Sequence, residues 1–332
     1  MTKIAVLGGG SWGTALANLL AGQENLKVWM WVREPQLTEL IQKTGQNSWY
    51  LPGIILDSSL KVSSDLEEVV QGATYYLIAV PCQYVRSILA KAKNLVEAKA
   101  VFICASKGIE ISSLKPMSEV IAEVLVNKNP IYAVLSGPSF AKEVAQKLPT
   151  AVSLACIDLK IGQKLQALFS TSYFRVYLNQ DVRGVELGGA LKNVIALATG
   201  ICDGLGFGYN ARAGLITRGL AEMSRLGAAL GAKEKTFMGL SGMGDLVLTC
   251  TGDLSRNRQV GLRLGKGESL EQITTSMRMV AEGVKTTQAV YNLAQKLNIE
   301  MPITEQVYKI LYQQKDPKTA VMELMTRSLK PE

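Results

Sequence analysis

The sequence predicts an α/β N-terminal domain built on a doubly wound sheet, residues 1–180, followed by an all-α C-terminal domain, residues 181–332. Three observations carry that expectation. The short apolar strand Lys3-Ile4-Ala5-Val6-Leu7 runs straight into a glycine-rich turn and a helical stretch. Further strand patterns follow, and helix-like segments separate the early ones, as a parallel sheet requires. From Val182 onward the periodicity is helical and glycine supplies the punctuation.

The turn is Gly8-Gly9-Gly10-Ser11-Trp12-Gly13, a G-x-G-x-x-G with Gly8, Gly10 and Gly13 in the fixed positions. Glycine there permits a tight turn, then close approach of backbone to a diphosphate, then helix–strand packing. The helix over residues 14–20 offers its N-terminal N–H groups and the positive end of its dipole to the same diphosphate. Following an N-terminal strand, the motif indicates a Rossmann-type dinucleotide site. The second strand, residues 27–32, ends in Arg33-Glu34, 20 residues past Gly13. At this place a carboxylate holds the ribose 2′-hydroxyl of NAD, whereas an arginine accommodates the 2′-phosphate of NADP. Arg33 comes first, so NADPH is the preferred cofactor, with NADH kept open by Glu34.

Three more strand patterns end in polar turns. Residues 75–80 lead into Pro81-Cys82, residues 100–105 into Ser106-Lys107-Gly108, and residues 131–135 into Ser136-Gly137-Pro138-Ser139-Phe140. Ligands of such sheets sit at the carboxyl ends of the strands, so Lys107 and Ser139 are expected to face one crevice. Ser139 is also placed to cap the run Ala141-Lys142-Glu143-Val144. Residues 151–155 and 173–178 read as closing strands, and Asn179-Gln180-Asp181 as the domain boundary.

The second half opens with a helix over residues 182–202, apolar on nearly every side and therefore buried. One of its faces carries Val185, Gly188, Gly189, Lys192, Ala196 and Thr199. Two adjacent glycines cost about 1 kcal/mol each in a helix interior. Open space beside the lysine accounts for that cost. Close helix packing around a structural ion pair accounts for it equally. Further on, Asn210 is expected to cap a helix reaching Leu226, with Gly227 stopping it. Gly239-Leu240-Ser241-Gly242-Met243-Gly244-Asp245 forms a second glycine-rich loop, in which Asp245 is either a working carboxylate or a helix cap. Ser255 is a good cap for the helix that Gly265 stops, and it puts Arg256 and Asn257 in the first turn. A cation there opposes the helix dipole unless an anion completes the site. After Val280-Ala281-Glu282-Gly283 the chain continues in amphipathic helices, with breaks at Met301-Pro302 and Asp316-Pro317.

Composition narrows the function. The 332 residues, 48% hydrophobic and 19% charged, suit two globular domains. There is no histidine, so acid–base work falls to Lys, Asp, Glu, Tyr or Cys. The net charge of +8 is dispersed, without the basic blocks and interleaved aromatics of a nucleic-acid surface. An anionic small molecule is the expected partner instead, and nucleic acid is not. No apolar run approaches the ~18 residues of a membrane span, and the first strand is not a signal peptide. Cys82, Cys104, Cys156, Cys202 and Cys250 lie far apart with no C-x-x-C, which argues against a metal site or disulfides and for a reducing cytoplasm. The pattern allows a homodimer without specifying one.

Together these residues resemble the bacterial type of NAD(P)-dependent glycerol-3-phosphate dehydrogenase over nearly the whole chain. The resemblance is carried by residues 8–17, Ser106-Lys107-Gly108, residues 135–141, 186–193 and 239–251, and Ser255-Arg256-Asn257-Arg258. It implies interconversion of dihydroxyacetone phosphate and sn-glycerol 3-phosphate, the latter feeding phospholipid synthesis. It makes Lys192 the proton-transfer residue, with Lys107 and Asp245 beside it. It puts Gly137, Ser139, Ser255, Arg256 and Asn257 around the substrate, and Ser11, Trp12, Arg33, Lys107, Ala141, Arg256, Val280 and Glu282 against the cofactor. The bottom-up reading agrees. A second cation at Lys107 would ease proton loss from Lys192, and Asp245 would orient it. The rivals are a two-domain dehydrogenase of a 3-hydroxy acid or sugar acid, and a cofactor-binding sensor without catalysis.

Overall fold

The computed structural model describes residues 1–277 and 281–329. Eight strands form one sheet: β1 (Thr2–Leu7), β2 (Leu26–Trp31), β3 (Lys61–Ser63), β4 (Tyr75–Ile78), β5 (Val101–Cys104), β6 (Ile131–Ser136), β7 (Thr150–Cys156) and β8 (Phe174–Asn179). Their order is β3-β2-β1-β4-β5-β6-β7-β8. The first six run parallel in the doubly wound order, which puts the switch point between β1 and β4. β7 departs from the expected parallel sheet. It runs antiparallel to β6, while β8 is parallel to β7. β3 was not expected from the sequence, because three residues on a sheet edge carry too little alternation to read.

Helices α1 (Ser11–Ala21), α2 (Pro35–Thr44), α3 (Leu66–Val70), α4 (Cys82–Ala92), α5 (Met117–Val124), α6 (Ala141–Ala145) and α7 (Leu159–Phe169) accompany the strands. Both sheet faces are buried, and the period-2 alternation shows it. In β1, Ile4 and Val6 join one apolar cluster while Ala5 and Leu7 join the other. In β5, Val101 and Ile103 divide from Phe102 and Cys104 in the same way.

The remaining helices are α8 (Val182–Gly204), α9 (Tyr209–Ala229), α10 (Glu234–Phe237), α11 (Asp245–Thr251), α12 (Arg256–Gly265), α13 (Leu270–Ser276), α14 (Glu282–Leu297), α15 (Pro302–Gln313) and α16 (Pro317–Met325). A π-helical turn over Leu240–Gly244 leads into α11. Two expectations fail in α9. Gly208, not Asn210, occupies its N-cap, and no side chain caps it. Gly227 does not stop the helix but lies buried within it. A Cβ there would come within 2.3 Å of the Phe237 ring, so the glycine makes room for an aromatic rather than for a turn.

The chain divides into two compact units, Met1–Lys107 with Lys115–Glu186, and Gly108–Leu114 with Leu187–Glu332. The sequence put its boundary at 180/181, where α8 begins. The packing division falls inside α8, after Glu186. The Glu186 carboxylate accepts hydrogen bonds from the Ser118 N–H at 2.8 Å, the Ser118 hydroxyl at 2.7 Å and the Tyr132 hydroxyl at 2.6 Å. These bonds tie the first turn of α8 to the sheet unit. Burial nevertheless pushes the Glu186 carboxyl above the usual range. Contrary to the sequence expectation, α8 is long and apolar enough to cross a membrane, with a mean hydropathy of 1.3 in its most apolar window. That window is wholly buried inside the protein, which marks it as a core helix.

Glu222 on α9 supplies a further buried carboxylate. It accepts from the N–H groups of Ile303 at 2.6 Å and Thr304 at 3.2 Å, capping α15 from outside. Burial pushes its carboxyl from the ordinary 4.5 up to about 7, against the lowering effect of those bonds. The folded state therefore binds the proton more tightly than the unfolded chain. The resulting stabilisation is full below pH 4.5 and is lost as pH rises through about 7. At about 1.4 kcal/mol per unit, the span is worth about 3 kcal/mol. Urea unfolding of wild type and Glu222→Gln from pH 4 to 8 tests this. The wild type should lose stability relative to the variant over that window, and parallel curves would refute the assignment.

Candidate active site

In the sheet unit, the glycine-rich turn is shaped as its spacing requires. Gly8 has φ +127°, and a Cβ there would lie 2.7 Å from the Ala79 carbonyl oxygen. A Cβ on Gly13 would lie 1.9 Å from the Gly8 carbonyl oxygen, so any side chain would break the turn. Gly10, the N-cap of α1, faces open space instead, with nothing within 4 Å of a Cβ. No side chain caps α1, and the buried Trp12 Nε1 has no hydrogen-bond partner. Open space over an uncapped helix end, beside an orphaned indole N–H, fits a diphosphate with a ring system next to it.

Sequence reasoning missed what holds this turn. The Asn47 amide, wholly buried, donates to the Gly9 carbonyl and to Thr14 Oγ1, both at 2.8 Å. Its Oδ1 accepts from the Tyr50 N–H, and the Ser11 hydroxyl donates to the Tyr50 carbonyl at 2.6 Å. Nothing local to residue 47 signals this, because the acceptors of its amide, Gly9 and Thr14, lie more than thirty residues away. Arg33 is exposed, and its Nε donates to Glu34 at 3.0 Å, which raises the guanidinium further above its ordinary range. An exposed pair of this kind contributes little and yields readily to a ligand.

Lys107 and Ser139 do come together. The Lys107 ammonium donates to the Gly137 carbonyl at 3.4 Å, and the Ser139 hydroxyl donates to the same oxygen at 2.9 Å. Gly137 has φ +145°, and a Cβ there would lie 2.9 Å from Val152 Cα. Ser139 does not cap the following helix. Phe140 occupies the N-cap of α6 without a side-chain bond, and Ala141 is its first residue. Ser139 stands one residue too early to cap it.

In the helical unit, Lys192 lies on α8 and is only 6% exposed. Its ammonium donates to Asp245 Oδ1, at the start of α11, and to Thr249 Oγ1 at 2.8 Å. The Thr249 hydroxyl in turn donates to the Asp245 backbone carbonyl at 2.6 Å. Asp245 is 1% exposed and is no helix cap, since Gly244 holds that position. Thr249 went unread in the sequence, although it sits four residues after Asp245 on the same face. The open space expected beside the lysine is absent at Gly188. A Cβ there would lie 2.4 Å from the Ser241 carbonyl oxygen, so this glycine lets the π-helical turn approach α8. Cys250, next along α11, has its thiol pushed up to about 12 by burial and is no acid at neutral pH.

Ser255 caps α12 as expected, accepting from the Arg258 N–H at 3.3 Å. Arg256 follows in the first turn and is exposed. Asn257 is buried, and both ends of its amide are used: Nδ2 donates to Asn193 Oδ1 and Oδ1 accepts from the Gly283 N–H, each at 2.9 Å. One side chain thereby joins the residues after Lys192, Arg256 and Glu282. Glu282 opens α14, and Val280 lies outside the described residues.

A doubly wound sheet with this turn, and a helical unit carrying a buried lysine–carboxylate pair, define a nicotinamide-dependent dehydrogenase of the two-domain kind. Comparison with known proteins specifies which. The family model described as NAD-dependent glycerol-3-phosphate dehydrogenase N-terminus matches residues 3–161, and its C-terminus counterpart matches residues 181–322. The chain is 59% identical to the glycerol-3-phosphate dehydrogenase [NAD(P)+] of Solidesulfovibrio magneticus, over 99% of this chain and 100% of that protein. It is 58% identical to the protein of the same name from Maridesulfovibrio salexigens, with the same coverage. The crystal structure of glycerol-3-phosphate dehydrogenase from Coxiella burnetii superposes with a TM-score of 0.94 at 44% identity, covering 98% of this chain and 99% of that one. The chain belongs to the NAD-dependent glycerol-3-phosphate dehydrogenase family.

The Thr249 hydroxyl is the least expected part of this site. Losing a hydrogen bond to a charged group costs about 1.5–3 kcal/mol, or roughly ten- to a hundredfold in rate where the group reacts. Thr249→Val keeps the shape; with Lys192 as the reacting group, kcat should fall by that factor in a variant that still folds, at a Tm lowered by the lost buried bond. Wild-type kcat would mean that Asp245 alone holds the lysine.

Proposed function

We propose that the chain catalyses the reversible NAD(P)H-dependent reduction of dihydroxyacetone phosphate to sn-glycerol 3-phosphate, with Lys192 as the proton-transfer residue. The observation that carries this reading is the Lys192 ammonium, buried yet held by Asp245 and Thr249. In a chain without histidine it is a cation fixed in one orientation. A nicotinamide dinucleotide held by its diphosphate at the glycine-rich turn would supply the hydride, so the protein needs only to position reactants and manage one proton. As negative charge builds on the ketone oxygen, Lys192 Nζ stabilises it and then protonates it. In oxidation the neutral amine takes the proton back. Asp245 and Thr249 keep Nζ aimed, and Lys107 adds a second cation for the substrate.

The remaining roles follow the family resemblance. Ser255, Arg256 and Asn257 hold the substrate phosphate, whose binding energy serves to position the distant carbonyl. Gly137 and Ser139 line the substrate. Gly8, Gly10, Ser11, Trp12, Gly13, Arg33, Lys107, Ala141, Arg256, Val280 and Glu282 bind the cofactor, NADPH by preference or NADH. The product supplies glycerophospholipid synthesis in the cytoplasm. The ligands are small molecules, without nucleic acid or membrane insertion, and a homodimer is compatible with the reading.

Two variants test it. Lys192→Met fills the same space without charge and should cut kcat by roughly 10²–10⁴, the usual contribution of a general acid, with NADPH binding kept. Near-normal turnover in a folded variant would return Lys192 to a structural role. Arg33→Ala should weaken NADPH binding by about 1–3 kcal/mol and leave NADH nearly unchanged, as read by fluorescence titration. Equal losses for both cofactors would remove Arg33 from the 2′-phosphate.

A further inference from the structure

The helix that carries Lys192 and the helix whose first turn carries Arg256 touch backbone to backbone. A Cβ on Gly200 of α8 would lie 2.1 Å from the Arg258 carbonyl oxygen, and one on Gly204 would lie 2.3 Å from that of Leu262. The contact is reciprocal. Cβ atoms on Gly261 and Gly265 of α12 would lie 2.2 and 2.3 Å from the carbonyl oxygens of Leu197 and Ile201. Each helix thus presents a pair of glycines spaced by four residues to the other.

Across this contact, from the C-terminal end of α8 to the first turn of α12, lies an ionic cluster that the proton-transfer reading leaves unused. Asp203, at the C-terminal end of α8, has a side chain only 5% exposed and takes two arginines, one on each oxygen. Oδ2 accepts from Arg258 Nε at 3.0 Å and Nη2 at 2.8 Å. Oδ1 accepts from Arg212 Nε at 2.9 Å and Nη2 at 2.7 Å. The remaining arm of Arg258 donates to the exposed Asp253 at 2.9 Å. Arg258 is two residues past Arg256, in the same helical turn. Its bidentate grip therefore fixes the rotation and height of the turn from which Arg256 projects.

We propose that Asp203 and Arg258 are positioning residues for the substrate phosphate, holding the first turn of α12 against α8 so that Arg256 is presented in one orientation. The inference rests on the reading of Arg256 as a phosphate ligand. Neither Asp203 nor Arg258 touches substrate in this account. The glycine contacts set the separation of the helices, and the ion pair sets their register. Arg212, gripping the other carboxylate oxygen from α9, keeps Asp203 from turning away.

The test uses the full-length enzyme with inorganic phosphate as the probe, competing against dihydroxyacetone phosphate. In Asp203→Asn and Arg258→Lys, the KM for dihydroxyacetone phosphate and the Ki for phosphate should rise together, with kcat at saturation close to wild type and a smaller rise in the KM for NADPH, to which Arg256 contributes one contact among many. A rise of roughly ten- to a hundredfold is expected, the scale of a small misplacement of a binding group. Arg258→Lys keeps a cation against Asp203 while losing the fork, so it decides the matter if Asp203→Asn does not fold. Lowered melting temperatures with unchanged KM and Ki would make the cluster purely structural and overturn the proposal. Arg256→Lys run in parallel separates the two claims. If it too leaves Ki unchanged, the phosphate is held elsewhere and the reading of Arg256 fails. If it alone raises Ki, only the positioning role fails.

Discussion

Burying one ammonium dictates the architecture around it. Lys192 sits in a helix that is apolar on nearly every side, where an unpaired charge would shift to its neutral form or unfold the site. Asp245 is the answer, and it must come within hydrogen-bonding distance of α8. That approach requires backbone to lie against backbone, which is why Gly188 faces the Ser241 carbonyl with no side chain between. It also requires the chain before α11 to deliver Asp245 inward, which the π-helical turn over Leu240–Gly244 does. Gly242 within that turn rests on the Phe237 backbone, where a Cβ would lie 2.1 Å from the carbonyl oxygen. Thr249, one helical turn on, then supplies a second acceptor for the ammonium while its own proton goes to the Asp245 carbonyl. The lysine, the carboxylate, the threonine and two glycines form one unit, and each makes sense only with the others.

The sequence announced parts of this and concealed others, for physical reasons that differ by element. The turn after β1 was legible because a local spacing of three glycines has one economical explanation: Gly8 and Gly13 leave no room for a side chain, and Gly10 faces open space. Strands β1, β2 and β4 to β8 were legible as apolar runs, but direction is not written in an apolar run, and β7 proved antiparallel to β6. Lys192 was legible as an anomaly, the one cation in the middle of an apolar helix. Asp245 was legible as the single carboxylate of a glycine-rich loop. What could not be read was which alternative held for each. The glycine beside the lysine serves close packing, and the carboxylate serves the lysine rather than a helix end.

The buried polar groups that the sequence did not reveal share a property. Asn47, Glu186, Asp203, Glu222 and Arg258 all bond across long separations in the chain, to partners such as Gly9, Ser118, Arg258 and Ile303. Within its own stretch none of them announces a partner. Its role exists only after the chain has brought its partner to it, and a single sequence carries no local mark of that. Arg258 illustrates the cost of reading locally. In Ser255-Arg256-Asn257-Arg258 the two arginines look equivalent, yet Arg256 is exposed and Arg258 is locked into an ion pair. Helical geometry separates them, since residues two apart point to different sides.

Glycine does two different jobs here, and its spacing tells them apart. In the turn after β1, spacings of two and three residues let the chain turn tightly against Ala79 and itself and leave open space at Gly10. In α8 and α12, the pairs Gly200 with Gly204 and Gly261 with Gly265 are spaced by one helical turn, so both glycines of a pair lie on one face. A flat glycine face admits another helix's backbone, and dispersion then acts over many atoms at short range. Such a contact tolerates no added methyl group, so it fixes the distance between helices more rigidly than interdigitating side chains, which can change rotamer. On the proposed reading, in which Lys192 exchanges a proton and Arg256 holds the phosphate, their separation needs to be fixed to a fraction of an ångström. The entropic cost of placing glycine inside a helix is offset by that rigidity. The same residue that permits a tight turn after β1 therefore stiffens the frame on which Lys192 and Arg256 are mounted.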